Sequence, residues 1–144
     1  MNKLRLLTLL IATLFLTTLA SCSKDEDAEP SKRQLLTAHE WTGSEVYNDG
    51  FKLPDEASPL DIKSVKLKFK DDRTFTATYR DNGNPQSLEG LWDLKDDGTK
   101  MDFPFLNLPG EDSDIKRLTE NNFDVSTTTE INGTVTAIEL RFVR

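Results

Sequence analysis

One cysteine, one histidine and a scatter of carboxylates are the side chains of this 144-residue chain with the means to do chemistry. Cys22 sits between an apolar run, Leu6 to Ala20, and the charged burst Ser23-Lys24-Asp25-Glu26-Asp27. The sole histidine, His39, lies two residues before Trp41, where a packed or partly exposed imidazole fits better than a general base. The serines therefore have no histidine partner to activate them. There is no glycine-rich phosphate loop, no metal-spaced His/Cys set and no nucleophile-elbow pattern. The chain reads as a non-enzyme with no cofactor and no metal. Acidic side chains are plentiful between the expected strands: Asp49, Asp55, Glu56, Asp61, Asp81, Glu111, Asp112 and Asp114. None of these runs has a calcium-loop spacing, so they read as solvated acidic loops.

The surroundings of Cys22 set the address. Lys3 and Arg5 precede an apolar stretch of about fifteen residues, short of the roughly twenty that a spanning helix needs, and small residues follow. That is the pattern of a secretory signal peptide. Leu19-Ala20-Ser21-Cys22 resembles the lipobox of bacterial lipoproteins, which implies a diacylglyceryl group on the Cys22 sulfur, cleavage before it, and stable anchoring by two or three acyl chains. The alternative is an ordinary cleavage site followed by a free thiol, a poor choice for an oxidising compartment. The acidic residues after Cys22 resemble the export signal of surface lipoproteins in one group of Gram-negative bacteria. That resemblance implies an outer-membrane protein facing the cell exterior, the alternative being the periplasmic face. The chain divides accordingly into residues 1–21, the signal peptide; 22–32, the lipidated cysteine and flexible acidic tether; and 33–144, the folded domain. The tether from Ser23 to about Pro30 spans on the order of 15 Å as a coil.

Removing Lys3 and Arg5 from the 18 basic residues leaves 16 against 25 acidic ones, a net charge of −9. This balance excludes a nucleic-acid footprint and gives no electrostatic reason to lie on anionic lipid. The membrane is a partner only through the acyl chains on Cys22.

The domain that must position anything further has an apolar period of two almost throughout. Val65, Leu67 and Phe69 share one face and Lys66, Lys68 and Lys70 the other, the latter a solubilising row. Phe75, Ala77 and Tyr79 alternate with Thr74, Thr76, Thr78 and Arg80. The pattern repeats at Leu88, Gly90, Trp92 and Leu94; at Met101, Phe103 and Phe105; at Phe123, Val125 and Thr127; and at Thr136, Ile138, Leu140 and Phe142. A first strand around Trp41 to Tyr47 and a weaker one around Ile115 to Leu118 complete about eight strands. A helical period appears only at Ser31 to Ala38, where Ser31 and Gln34 have capping-box spacing.

Asp71-Asp72, Asp97-Gly98 and Asn121-Asn122 predict tight turns, and Asn132-Gly133 a type I′ hairpin. Asn48 to Asp61, Asp81 to Gln86 and Asn107 to Asp114 read as longer loops. Alternate connections of a meander lie at one end, so the fold class is all-β: an antiparallel up-and-down barrel with tight turns at one end and long loops at the other. The alternative is a β-sandwich.

Residues 33 to 144 are similar to a lipocalin-like barrel of the short type found among small bacterial lipoproteins. The likeness is carried by a helical turn before the first strand, Trp41 near that strand's start, a long first loop, and Gly90-Leu91-Trp92-Asp93-Leu94-Lys95-Asp96-Asp97-Gly98-Thr99. His39-Glu40-Trp41 lacks the family's glycine before the tryptophan, and no helix is expected after the last strand. The resemblance implies a barrel that binds a small apolar or amphipathic ligand near its mouth, with Phe51, Tyr79, Trp92 and Phe103 at the mouth or lining the cavity. The inward rings are large enough to fill a lumen ringed by seven-residue strands, which favours core over pocket. The second reading is accordingly a filled barrel acting as a non-catalytic accessory module that contacts a surface protein or glycan.

Overall fold

In the computed structural model, residues 29–105, 111–131 and 133–144 are described. The signal segment, Cys22 and the acidic tether up to residue 28 lie outside them, as does part of the third long loop. Among the described residues one α-helix, α1 (Lys32–Ala38), precedes ten strand segments: β1 (Glu40–Asn48), β2 (Phe51–Lys52), β3 (Lys66–Phe69), β4 (Thr74–Asp81), β5 (Asn84–Leu91), β6 (Asp93–Lys95), β7 (Lys100–Asp102), β8 (Ser113–Leu118), β9 (Asn122–Ile131) and β10 (Thr134–Val143).

All pairings are antiparallel, in the order β5-β4-β3-β1-β10-β9-β8-β7-β6, with β2 folded back on β1. The two ends of this order, β5 and β6, are separated in the chain by Trp92 alone. They are one bent strand that pairs backwards with β4 and forwards with β7, which brings the sheet nearly to closure as a barrel. Counted that way, with β2 set aside, the expected eight strands are present. The sandwich alternative does not survive this topology.

Alternation decides what goes inside. Leu67 and Phe69 of β3, Phe75 and Ala77 of β4, Phe123 and Val125 of β9, and Ile138, Leu140 and Phe142 of β10 are all buried. A bulge between Gly43 and Glu45 shifts the register of β1 against β10 and restores Val46 to the interior opposite Leu140.

The end carrying the turns 70–73, 96–99 and 119–121 is stoppered by α1. Gln34 N–H donates to Ser31 Oγ (3.2 Å) and Ser31 N–H donates to Gln34 Oε1 (2.7 Å), the capping box legible in the sequence. Leu36 is buried, and its carbonyl accepts from Trp41 Nε1–H at 3.0 Å. Lys32 Nζ donates to the carbonyls of Asp97 (3.2 Å) and Gly98 (3.0 Å), while the Arg33 guanidinium lies 5.0 Å over the Trp92 ring. The chain therefore enters the barrel at its closed end.

One connection corrects the sequence reading. Asp81 to Gln86 is not a long loop: β4 and β5 pair from Asp81↔Asn84 onward, leaving the two-residue turn Asn82-Gly83. Both turn residues have positive φ (49° and 81°), the conformation that Asn-Gly favours. Pro85 stands opposite Arg80 in β5, a strand with one partner, where its missing N–H removes no ladder bond.

Candidate functional site

At the open end, the connection from β1 to β3 folds over the barrel mouth. Pro54 starts a helical turn at Asp55–Ala57, and a second turn, Ile62–Ser64, leads into β3. Ser58 Oγ–H donates to the Leu60 carbonyl (2.6 Å) and Ser64 Oγ–H to that of Asp61 (2.7 Å). The Ser64 hydroxyl also accepts from Arg80 N–H at 2.9 Å, tying this loop to β4. Ile62 drops inward and is buried. Gly43 makes room for it: a Cβ there would sit 2.0 Å from the Ile62 carbonyl oxygen.

Between this loop and the β4–β5 hairpin lies an open cleft of about 650 Å³. Leu60, Ile62 and Tyr79 supply apolar surface, and Asp61, Arg80 and Asn82 are among its polar walls. The Asp55 carboxyl is held below the usual carboxylate range, first by its hydrogen bond from Lys63 Nζ at 2.6 Å and then by that ammonium's charge. The cleft can seat an amphipathic molecule, with an apolar part against Tyr79 and Leu60 and a polar part among the charged walls.

Below the cleft the lumen is occupied by rings. Phe69 stands 5.2 Å from Phe103, 5.3 Å from Trp92, 5.9 Å from Phe123 and 6.3 Å from Phe75, centroid to centroid. Phe103 continues to Phe105 (5.7 Å), and Phe105 to Tyr79 at the rim (5.9 Å). Among the described residues, every buried side-chain nitrogen and oxygen has a hydrogen-bond partner, so no polar group waits inside for a ligand.

The four residues expected to meet a ligand are separated by this arrangement. Tyr79 lines the cleft. Phe51 is 77% exposed on the short β1–β2 hairpin. Phe103 is buried within the ring cluster. Trp92 is placed away from the mouth, beside α1: its Nε1–H is shared between the carbonyls of Lys70 and Thr74, both at 3.1 Å. It faces inward as expected, but the strand runs from the mouth at Asn84 to the closed end at Lys95, so its late position puts it deep. His39 also lies at the closed end, edge-on to Trp41 at 6.2 Å. The acidic residues gather in part: Asp55, Glu56, Asp61 and Asp81 meet at the cleft, whereas Asp112 and Asp114 pair with Lys95 (2.7 Å) and Lys116 (3.5 Å). Among the described residues no three His, Cys, Asp or Glu side chains are grouped to hold a metal ion. Leu60, Ile62, Arg80 and Asn82 were not singled out from the sequence. The Asn82-Gly83 dipeptide was the available signal, since a hairpin there brings Arg80 to the rim.

No family model matches the chain, and no curated protein matches it. Among solved structures it is similar to an odorant-binding protein from bovine nasal mucosa and to bovine odorant-binding protein complexed with its natural ligand. Each comparison gives 18% identity over 83% of this chain and 77% of the other, with a TM-score of 0.50. At that identity the likeness concerns architecture: this chain has the lipocalin fold.

Proposed function

We propose that this is a lipid-anchored, non-catalytic binding protein of the outer membrane, held through Cys22, displayed toward the cell exterior, and taking a small amphipathic molecule in its rim cleft. The observation that carries the reading is an open cleft with apolar and charged walls set directly above a lumen already filled by Phe69, Phe75, Phe103 and Phe123. The neighbours' name, odorant-binding protein, supports a binding role for a barrel of this kind. Of the two places expected for a ligand, the mouth and the lumen, the packing of the rings favours the mouth. Entry of the chain at the closed end supports a mouth directed away from the membrane.

The test is native mass spectrometry of the unlipidated mature chain after incubation with an extract of the source cells. An added mass of roughly a few hundred daltons, lost in Tyr79→Ala, is the expected result. Emission from Trp41 and Trp92, both buried toward the closed end, stays constant during binding at the rim, whereas a lumen ligand would quench it. A bare protein mass across extracts would sink the proposal.

A further inference from the structure

The lysine row of β3 reads differently once the ion pairs are placed. Arg33, Lys52, Lys63, Lys66, Arg73, Lys95, Lys100, Lys116, Arg117 and Arg141 each have a carboxylate within 4 Å. Lys32 donates to the carbonyls of the 96–99 turn. Of the cations left without such a pair among the described residues, Lys68, Lys70 and Arg80 share the outer face of β3 and β4, and Arg144 stands apart at the end of β10. In a protein whose mature chain carries an excess of nine negative charges, unpaired cations are concentrated on one face.

That face is hydroxylated. Register sets Lys66 beside Thr78 and Lys68 beside Thr76, and the next strand continues these rows with Ser87 and Glu89. Thr74, Thr76 and Thr78 thus form a ladder alongside the lysines, whose alternate positions recur about every 6.6 Å along the strand. The acidic neighbours are Glu40, opposite Lys68 and engaged by Lys66 at 3.2 Å, Glu89 beside Thr76, Asp72, within electrostatic reach of Lys70, and Asp61, beside Arg80 at the end of the ladder nearer the mouth. Shallow depressions lie at both ends of the ladder. One of about 400 Å³ holds Lys63, Lys66 and Arg80; another of about 410 Å³ holds Lys70, Thr74 and Thr76. Arg80 belongs both to the first depression and to the rim cleft, so the track continues from the outer face to the mouth.

We infer that the outer face of β3 and β4 docks a linear anionic polysaccharide, whose carboxylates or sulfates meet Lys68, Lys70 and Arg80 while its hydroxyls meet the threonine ladder. Charge complementarity selects an anion, and at physiological salt the screening length of about 8 Å makes the local cations count for more than the distant acidic loops. The outward positions of β3 and β4 carry no aromatic ring on which a nucleic-acid base would stack. The exposed Leu91 on β5 is too small an apolar feature to enter a bilayer. Unpaired cations set in register beside rows of hydroxyls suit a sugar chain. This inference stands on the unpaired cations and is independent of whether the rim cleft is filled.

The experiment is affinity electrophoresis of the mature protein in neutral detergent through gels containing polygalacturonate, repeated across a salt series. Retardation that weakens with salt is expected, and Lys68→Glu/Lys70→Glu should lower the affinity at least about tenfold. The double Lys116→Glu/Arg144→Glu makes the same net-charge change elsewhere and should change affinity less than about twofold. Lys68→Gln/Lys70→Gln removes charge without reversing it and should give an intermediate loss, which keeps the test open if the glutamate pair misfolds. Absence of retardation, an equal loss in the Lys116/Arg144 double, or equal retardation by neutral dextran would overturn the assignment. Tighter binding to phosphatidylglycerol vesicles or to a single-stranded oligonucleotide would overturn it as well, giving the face to a membrane or a nucleic acid.

Discussion

Truncation of Phe69 to alanine tests the packed lumen on which the functional reading rests. The ring is fully buried and surrounded by Phe75, Trp92, Phe103 and Phe123. Burial alone places Phe69→Ala at about 3–5 kcal/mol. The upper end applies here, because β3 is hydrogen-bonded on both sides, to β1 and to β4, and cannot move inward to fill the void. Each aromatic pairing lost adds roughly 0.5–1.5 kcal/mol beyond area, though not additively. A loss of about 4–5 kcal/mol lowers the melting temperature of a domain this size by roughly 15–20 °C. Urea unfolding would read the loss as a shift in midpoint at constant slope. The void left behind is apolar and dry, of the kind that accepts benzene, so benzene should raise the melting temperature of the variant and leave the parent unmoved. A cost below about 2 kcal/mol, or an equal benzene response in the parent, would show that the lumen has slack, and the rim would lose its claim as the binding site.

Gly43→Ala should cost at least about 2 kcal/mol in chemical denaturation, because the added methyl meets the Ile62 carbonyl oxygen and must lift the Ile62–Ser64 turn off the barrel mouth. Asp72 accepts from the Thr74 hydroxyl at 2.6 Å and from Thr74 N–H at 2.9 Å; the hydroxyl is the larger cause holding its carboxyl below the usual range. With the folded value depressed, its contribution is present above the ordinary value of about 3.9 and lost as pH falls through the folded value. The stability gap between the parent and Asp72→Asn, measured as urea midpoints across pH, should therefore close on acidification; a gap that widens would contradict this. Cys22→Ala should move the protein from the membrane fraction to the soluble fraction on ultracentrifugation, and continued sedimentation with membranes would defeat the lipobox reading.

The strands were legible because one face of each is buried, and a period of two then marks it whatever its partner. Leu67 and Phe69, Phe75 and Ala77, and Ile138, Leu140 and Phe142 face inward as their spacing implies. Spacing is silent about pairing. Leu88 to Leu94 keeps one alternation through Trp92, yet the partner changes there from β4 to β7, and that exchange brings the barrel to closure. Pro85 obscured the Asn82-Gly83 turn because a proline argues against a strand only where both edges are bonded. The cleft was the least legible part. Ile62 enters the mouth from a helical turn with no periodicity to mark it, and its place depends on the absence of a side chain at Gly43, nineteen positions earlier.

The pairing of the first full strand with the last also orders events in time. Thr42 stands opposite Val143 and Asn48 opposite Ile138, so β1 lacks one flank until β10 is available. A polypeptide delivered N-terminus first therefore remains an open sheet through most of its emergence, with Trp41 and Phe123 unable to meet across the interior until β9 has arrived. Loop-closure entropy for contacts a hundred residues apart makes that last docking slow, on the order of milliseconds to seconds. Until β10 arrives the sheet stays open along one flank of β1, and the barrel gains that seam only when its first full strand meets its last.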